Sequence, residues 1–261
     1  MLAPRGDRYV GRSLELYGEF SPAESRFFEQ LVRPGQTIVE VGANIGAHTV
    51  ALARRCAPGL LYAFEPQQRL FQLLCANLAL NGVGNVRAYP EACGAREGQV
   101  RLPDFDYGSA GNFGGVSVVE DDASPGVPVR LITLDSLALP ACHILKVDVE
   151  GYEAQVLRGA RETILRLRPL LYVENDRPEK QQEVISLIHE LGYVQYWHTP
   201  PLFDPGNFKG ESHNEFPGIV SLNLFATPSE RDDRIGGAEP IDPTNWRAPV
   251  GPAKRAASPE S

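Results

Sequence analysis

Two hydrophobic periods take turns along this chain. Short runs dense in Val, Ile, Leu and aromatic residues recur at Thr37–Val41, Leu60–Glu65, Val86–Tyr89, Ile144–Val149, Leu170–Glu174, Val194–His198 and Ile219–Phe225, and runs of this length and composition read as strands. Between them, apolar residues return every three or four positions. In Arg69–Leu80, for example, Leu70, Leu73, Leu74, Leu78 and Ala79 share one side, and Asn81-Gly82 closes the segment as a helix end. Ala47–Cys56, Tyr152–Leu167 and Glu179–Leu191 read as helices in the same way. Ahead of the first strand, Ser21-Pro22 has the form of an N-cap followed by proline at the first helical position. The helix it opens carries Phe27, Phe28, Leu31 and Val32 on one side and stops at Pro34-Gly35.

Strands that alternate with helices pair in parallel, because each crossover brings the chain back in the same direction. The pattern predicts an α/β fold, Rossmann-like, with a mostly parallel seven-stranded sheet and helices on both faces. The last two strands have no full helix between them and are expected to pair antiparallel at the edge. Residues 1–33 then form a lead and helix covering the site, and residues 34–227 form the main domain. Residues 228–261, dominated by Pro, Ala, Gly and charge, are expected to remain a disordered tail. Asp104–Pro128 is rich in Gly, Ser and Asp. It is too long for an ordinary connection and reads as either a functional loop or an unstructured one.

Composition narrows the partners. With 261 residues, 43% of them hydrophobic, the chain can bury one sizeable core. A formal net charge of -8 argues against a broad phosphate-binding face, so nucleic acid is not an expected partner. The sequence has neither a long apolar span nor the apolar run of a signal peptide, and a soluble cytoplasmic protein without a membrane partner is expected. Cys56, Cys75, Cys93 and Cys142 lie far apart and read as reduced core thiols rather than a zinc or redox site. A homodimer is left open.

Chemistry concentrates at the strand ends, where open parallel sheets collect their ligands. The first strand runs into Glu40-Val41-Gly42-Ala43-Asn44-Ile45-Gly46, a glycine turn whose backbone can approach a ligand closely. The second ends in Phe64-Glu65-Pro66, and a carboxylate there can accept both vicinal hydroxyls of a ribose. Two ligands fit a glycine loop followed by such an acid. A dinucleotide wants G-x-G-x-x-G, with a pyrophosphate at the helix N-terminus. Here Asn44 stands at the second glycine and Ala47 at the third, and Glu40 precedes the loop. S-Adenosylmethionine carries an ammonium and a sulfonium and no phosphate, so the acidic lead favours it. An NAD-dependent oxidoreductase is the alternative.

The run VEVGANIGAHTVALA, then YAFEPQQRLFQLLCANLALNG, then ILKVDVEGYEAQVLRGA, resembles the FkbM family of S-adenosylmethionine-dependent methyltransferases. The likeness covers about Thr37 to Phe225, with a weaker echo in YGEFSPAE. It implies a class I methyltransferase fold and O-methylation of a sugar, polyketide or other small secondary metabolite. It also implies that Glu40, Gly42, Ala43, Asn44, Gly46 and Thr49 surround the methionine part of the donor. Glu65 would bind the ribose, and Glu91 and Ala92, ending the third strand, would lie near adenine. Asn112 and Ser117 correspond to a family N-x-G-x-x-S element and would help close the site. The chain departs from the family at ACGAREG, where Ala95 replaces an acid.

The second cluster is Lys146-Val147-Asp148-Val149-Glu150-Gly151-Tyr152-Glu153. If the strand continues through them, Asp148 and Glu150 project to one face. Asp148 is the first candidate for general base, for a contact to the donor, or for a ligand of a divalent metal such as Mg. Glu150 is the second candidate for base or metal ligand. Glu153 in a first helical turn is explained equally well by the helix dipole. His213, in the polar stretch ESHNEF, is a third candidate base, and His48 is expected to face solvent or the donor carboxylate. Tyr9 and Tyr17 are candidate lid residues. A second alternative is a catalytically silent donor-binding protein that partners another enzyme.

Overall fold

The computed structural model describes residues 1–104, 107, 111–115, 125–231 and 238–249. Two N-terminal helices, α1 (Val10–Tyr17) and α2 (Pro22–Leu31), precede the sheet. Then follow β1 (Ile38–Val41), α3 (Thr49–Cys56), β2 (Leu61–Phe64), α4 (Gln68–Leu80), β3 (Val86–Tyr89), β4 (Ala92–Cys93), β5 (Gly98–Leu102) and β6 (Val127–Ile132). The chain continues through β7 (Ile144–Val147), α5 (Glu153–Gly159), α6 (Arg161–Leu167), β8 (Leu170–Glu174), α7 (Gln181–Glu190), β9 (Tyr193–His198) and β10 (Asn223–Pro228).

The main sheet has seven strands in the order β3-β2-β1-β7-β8-β10-β9. All its pairs are parallel except those of β10, which runs antiparallel between β8 and β9. Strand order therefore reverses between β1 and β7, and the crevice above that point is where a ligand sits in such sheets. Both faces are covered. Val39 and Val41 pack with Val156, Leu157, Ile164, Val184 and Ile188 from α5–α7. Ile38 on the opposite face packs with Phe28, Val50, Ala53, Leu74 and Leu78 from α2–α4. Each β1 residue is buried, which is why these strands read as unbroken apolar runs rather than alternating ones.

Several expectations are corrected. The strand expected over Ile144–Val149 stops at Val147, and Glu150 turns to φ 56°, so Asp148 and Glu150 do not share a strand face. The helix expected over Tyr152–Leu167 is two. Asp135 accepts hydrogen bonds from the amides of Glu162 (3.0 Å) and Thr163 (2.7 Å), which starts α6 as a separately capped helix. Gly159 just before it lies against Gly94, whose carbonyl oxygen would be 1.8 Å from a Cβ. The last strand lies at Asn223–Pro228, and Val220 makes only a bridge to Pro201. The sequence does not reveal the second sheet, β4-β6-β5, or helix α1, because polar and exposed positions are mixed into each and weaken the apolar pattern.

Part of the segment expected to be disordered is packed. The Ile241 amide donates to Gln195 O at 2.8 Å, Trp246 Nε1 donates to Gln182 Oε1 at 2.6 Å, and the Trp246 and Trp197 rings lie 6.0 Å apart. The apolar faces of Ile241 and Trp246 thereby cover the edge at β9. Cys56, Cys93 and Cys142 are buried free thiols as expected, whereas Cys75 is exposed. No helix among the described residues is long and apolar enough to cross a membrane.

Candidate active site

The glycine loop leaves β1 at Val41 and turns back over the end of β2. Its amides are all engaged. Gly42 and Ala43 donate to Phe64 O (2.9 and 3.0 Å), Asn44 to Glu65 Oε2 (2.8 Å), Ile45 to Asn44 Oδ1 (2.7 Å) and Gly46 to Ala43 O (2.9 Å). Asn44 is at φ 52°, a left-handed conformation that asparagine tolerates through just such a local side-chain bond. Glu65 also accepts the Gln67 amide at 2.9 Å. Burial raises the Glu65 carboxyl to about 7, opposed by those two amide bonds.

Beneath the loop lies a buried charge cluster. The parallel register sets Glu40 beside Lys146. Lys146 Nζ is 3.0 Å from Asp148 Oδ2 and 3.8 Å from Glu40 Oε1, and Thr49 Oγ1 donates to Glu40 Oε2 at 2.7 Å. Burial pushes Glu40 up, with Lys146 and the Thr49 hydroxyl pulling the other way. Burial also opposes the Lys146 charge, but Asp148, Glu40 and Glu24 together hold its pKa above the ordinary lysine value. Asp148 differs from Glu40 in being open: its side chain is 37% exposed, against 1% for Glu40.

Glu150 and Asp148 each have their own cationic partner, Arg177 and Lys146. Among the described residues, the acids whose oxygens converge within 4.8 Å are Glu150, Glu174 and Asp176, and Asp148 is outside that group. Arg177 pairs with Glu150 and lies 3.4 Å from Asp176, so a guanidinium already supplies the positive charge there. Lys146 does the same for Asp148. The predicted Asp148–Glu150 metal pair therefore does not fit this geometry. Burial raises the carboxyls of Glu150 and Glu174, with Asp148 and other neighbouring acids adding to it. Glu153 accepts the amides of Val149 (3.3 Å) and Gly151 (2.9 Å), which makes it a brace of the turn at the start of α5.

Other predicted residues fall elsewhere. Glu91 bonds Arg130 at 2.9 Å, and Ala92 opens the second sheet rather than ending β3. Asn112 Oδ1 accepts the Gly115 amide of its own turn at 3.1 Å; Ser117 lies outside the described residues. The residue that ties this loop to the site is Gln67. Its Nε2 donates to Phe113 O at 2.7 Å, and its Oε1 accepts from Tyr107 at 2.9 Å. His213 is largely exposed, 3.4 Å from Glu215, in a cap that joins the N-terminal lead to the chain after β9. Tyr17 is the centre of that cap, donating to His213 O (3.0 Å) and accepting from the Glu215 amide (2.9 Å). His48 is buried rather than exposed, between Phe20 and Phe28. Burial lowers it to about 4.

Sequence reasoning passed over Glu24, Glu174, Asp176, Arg177 and Gln67. Ser21-x-x-Glu24 carries a capping-box spacing. The Ser21 hydroxyl in fact donates to the Glu24 carboxylate at 3.2 Å, and caps no helix amide.

This sheet order, with a self-closed glycine loop and an acid at the end of β2, defines a Rossmann-like methyltransferase of class I. A family model described as the methyltransferase FkbM domain matches residues 40–194, and the chain belongs to that family. Among curated relatives it is 26% identical to methyltransferase sdnD of Sordaria araneosa, covering 60% of this chain and 73% of that one. It is 25% identical to the 31-O-demethyl-FK506 methyltransferase FkbM of Streptomyces tacrolimicus, covering 66% and 78%. The crystal structure of methyltransferase FkbM from Methylobacillus flagellatus KT superposes with a TM-score of 0.50 at 15% identity, over 78% of this chain and 50% of that chain. The likeness thus spans half of that longer structure and speaks for the fold alone.

Proposed function

We propose that this protein transfers a methyl group from S-adenosylmethionine to a hydroxyl oxygen of a small-molecule acceptor, such as a sugar, a polyketide or another secondary metabolite. The observation that carries the donor assignment is the closed set of loop amides from Gly42 to Gly46. A pyrophosphate needs free N–H groups at this place, and here one of them is given to a carboxylate. A ligand with cationic groups and a ribose suits what remains. Glu65 keeps lone pairs for ribose hydroxyls, and Glu40 and Asp148 supply negative charge beside the loop. The name of the Streptomyces relative refers to an O-demethylated substrate, which supports oxygen as the atom methylated.

The donor supplies an electrophilic methyl on a positively charged sulfur. The chain's task is to orient an acceptor hydroxyl in line with it and to take its proton. Asp148 suits that role better than Glu150 or His213. Glu150 is held by Arg177, and His213 sits in the outer cap beside Glu215. Lys146 Nζ donates to Asp148 Oδ2 at 3.0 Å and orients that carboxylate. The oxygen lone pair forms the new C–O bond, the C–S electrons return to sulfur, and the hydroxyl proton passes to the Asp148 carboxylate.

Calorimetric titration with S-adenosylhomocysteine and with NAD tests the donor: binding of the first and not the second is expected, and the reverse would overturn the proposal. Radiolabelled donor incubated with small-molecule extracts of the source organism then tests transfer. A silent donor-binding partner would instead bind donor without labelling any acceptor, and Asp148→Ala would leave that binding unchanged.

A further inference from the structure

We infer that Glu24, delivered by the N-terminal helix α2, is a positioning residue of the donor site. It completes the negative cradle around Lys146 and couples the docking of the N-terminal helices to binding of the donor's amino-acid end. The inference rests on reading the glycine loop as the S-adenosylmethionine site.

Glu24 is 4% exposed. Its Oε2 accepts one neutral hydrogen bond, from Ser21 Oγ at 3.2 Å, and its Oε1 lies 3.5 Å from His48 Nε2. That nitrogen is itself buried without a hydrogen-bond partner. His48 cannot swing out to solvent, because the Phe20 and Phe28 rings flank it at 5.5 and 6.1 Å between centroids. A buried carboxylate with so little support is costly unless its charge serves another group. His48, which Glu24 touches, precedes Thr49, whose hydroxyl donates to Glu40 at 2.7 Å, and Glu40 lies 3.8 Å from Lys146. Glu24 thus joins the cluster through the start of α3, with the Lys146 charge pulling against the rise that burial imposes on Glu24.

The neighbours of Glu24 come from four strands and helices. They are Ser21 at the start of α2, His48 before α3, Lys146 and Asp148 on β7 and just beyond it, and Tyr172 on β8, and Lys146 links Glu24 to Glu40 on β1. With His48 neutral, the three carboxyls of Glu24, Glu40 and Asp148 share the one ammonium of Lys146. Burial opposes ionisation of Glu24 and Glu40, and no second cation is present among the described residues. A donor that brings an ammonium and a sulfonium beside Glu40 and Asp148 supplies further positive charge. Glu24 also stands outside residues 40–194, the span of the family match. The lead segment thus brings a further carboxyl to the one the core supplies at Glu40.

The test titrates the full chain with S-adenosylmethionine, S-adenosylhomocysteine and 5′-methylthioadenosine. The last keeps adenine and ribose and lacks the amino-acid end. A wild-type protein that binds none of the three refutes the donor assignment itself, and is distinct from failure of this inference. Given wild-type binding, Glu24→Gln is expected to weaken the first two ligands about tenfold and methylthioadenosine less than about twofold, since only the former place charge near residue 24. Equal losses for all three ligands, or no loss, would overturn the inference. If Glu24→Gln loses its cooperative thermal transition, Ser21→Ala is read instead. It keeps the carboxylate and removes its hydrogen bond, and a selective loss of about threefold is expected; unchanged or uniformly reduced affinities would again overturn the inference.

Discussion

Gly42 and the main chain of Asp148 approach so closely that a Cβ at residue 42 would lie 1.8 Å from the Asp148 carbonyl oxygen. The Asp148 amide in turn donates to Val41 O at 3.0 Å. The donor loop after β1 and the candidate base after β7 are thereby locked to each other. Gly42 also sits at φ 87°, where any side chain is strained. Gly42→Ala is expected to cost about 2–4 kcal/mol of stability and to abolish S-adenosylhomocysteine binding. Urea denaturation and calorimetry check both; a variant with wild-type stability would show that the two strand ends are independent.

Asp148→Asn keeps the size of the side chain and removes the base. The kcat for methyl transfer is expected to fall by about 10²–10⁴, with a much smaller change in S-adenosylhomocysteine affinity. Steady-state kinetics and calorimetry separate the two effects. A variant whose kcat is within a factor of a few of wild type would move the base elsewhere, with Glu150 and His213 the next to substitute.

The buried acids give a pH dependence of definite sign. Burial raises Glu24, Glu65 and Glu153 from 4.5 to about 7. The stability they contribute is fully present below pH 4.5 and is lost as pH rises through 7. His48, lowered by burial from 6.5 to about 4, contributes stability above pH 6.5 that is lost as pH falls through 4. The donor-free protein is expected to lose on the order of 1–3 kcal/mol between pH 6 and 8. A cationic donor favours the ionised acids, so its binding should release protons and tighten over the same range. Calorimetry in buffers of different ionisation enthalpy measures that release, and a proton count of zero would contradict it.

Gln67 clasps the loop containing Tyr107 and Phe113 through two side-chain bonds. Gln67→Ala is expected to raise the donor KM about tenfold, the scale of two lost hydrogen bonds that position a site, while kcat changes less. Limited proteolysis should also cut near residue 113 faster than in wild type.

Truncation after Arg231 removes Ile241 and Trp246 from the β9 edge. The loss is expected to be about 1–3 kcal/mol, from the uncovered Trp197 ring and Gln182, read as a lower urea midpoint. Donor binding at the far side of β1 should be unaffected. An unchanged midpoint would mean that the segment adds nothing to stability.

The elements legible in the sequence are those whose own residues carry the pattern. Leu170–Glu174 has three buried positions and Gln68–Leu80 an apolar face, and their bounds agree with the sequence to within one residue. Val86–Tyr89 agrees too although it is a half-exposed edge strand, because the Asn81-Gly82 turn and Pro90 bracket it. Helix α1 and the β4-β6-β5 sheet were invisible because short elements with mixed faces draw their order from neighbours. The break at Ala160 was hidden for a related reason: a capping carboxylate comes from Asp135, distant in sequence.

The sequence alone determined the alternation of strand and helix, the glycine loop between Glu40 and Thr49, and the acids at the ends of β1, β2 and β7. Local periodicity and turn chemistry act over a few residues, and the chain order records them directly. Tertiary structure decided which charges meet. Lys146 between Glu40 and Asp148, Arg177 on Glu150, and Glu24 against His48 are pairings across 2 to 106 positions of sequence. Only packing removes the water that would otherwise screen those charges, and so only the fold turns these residues into one site.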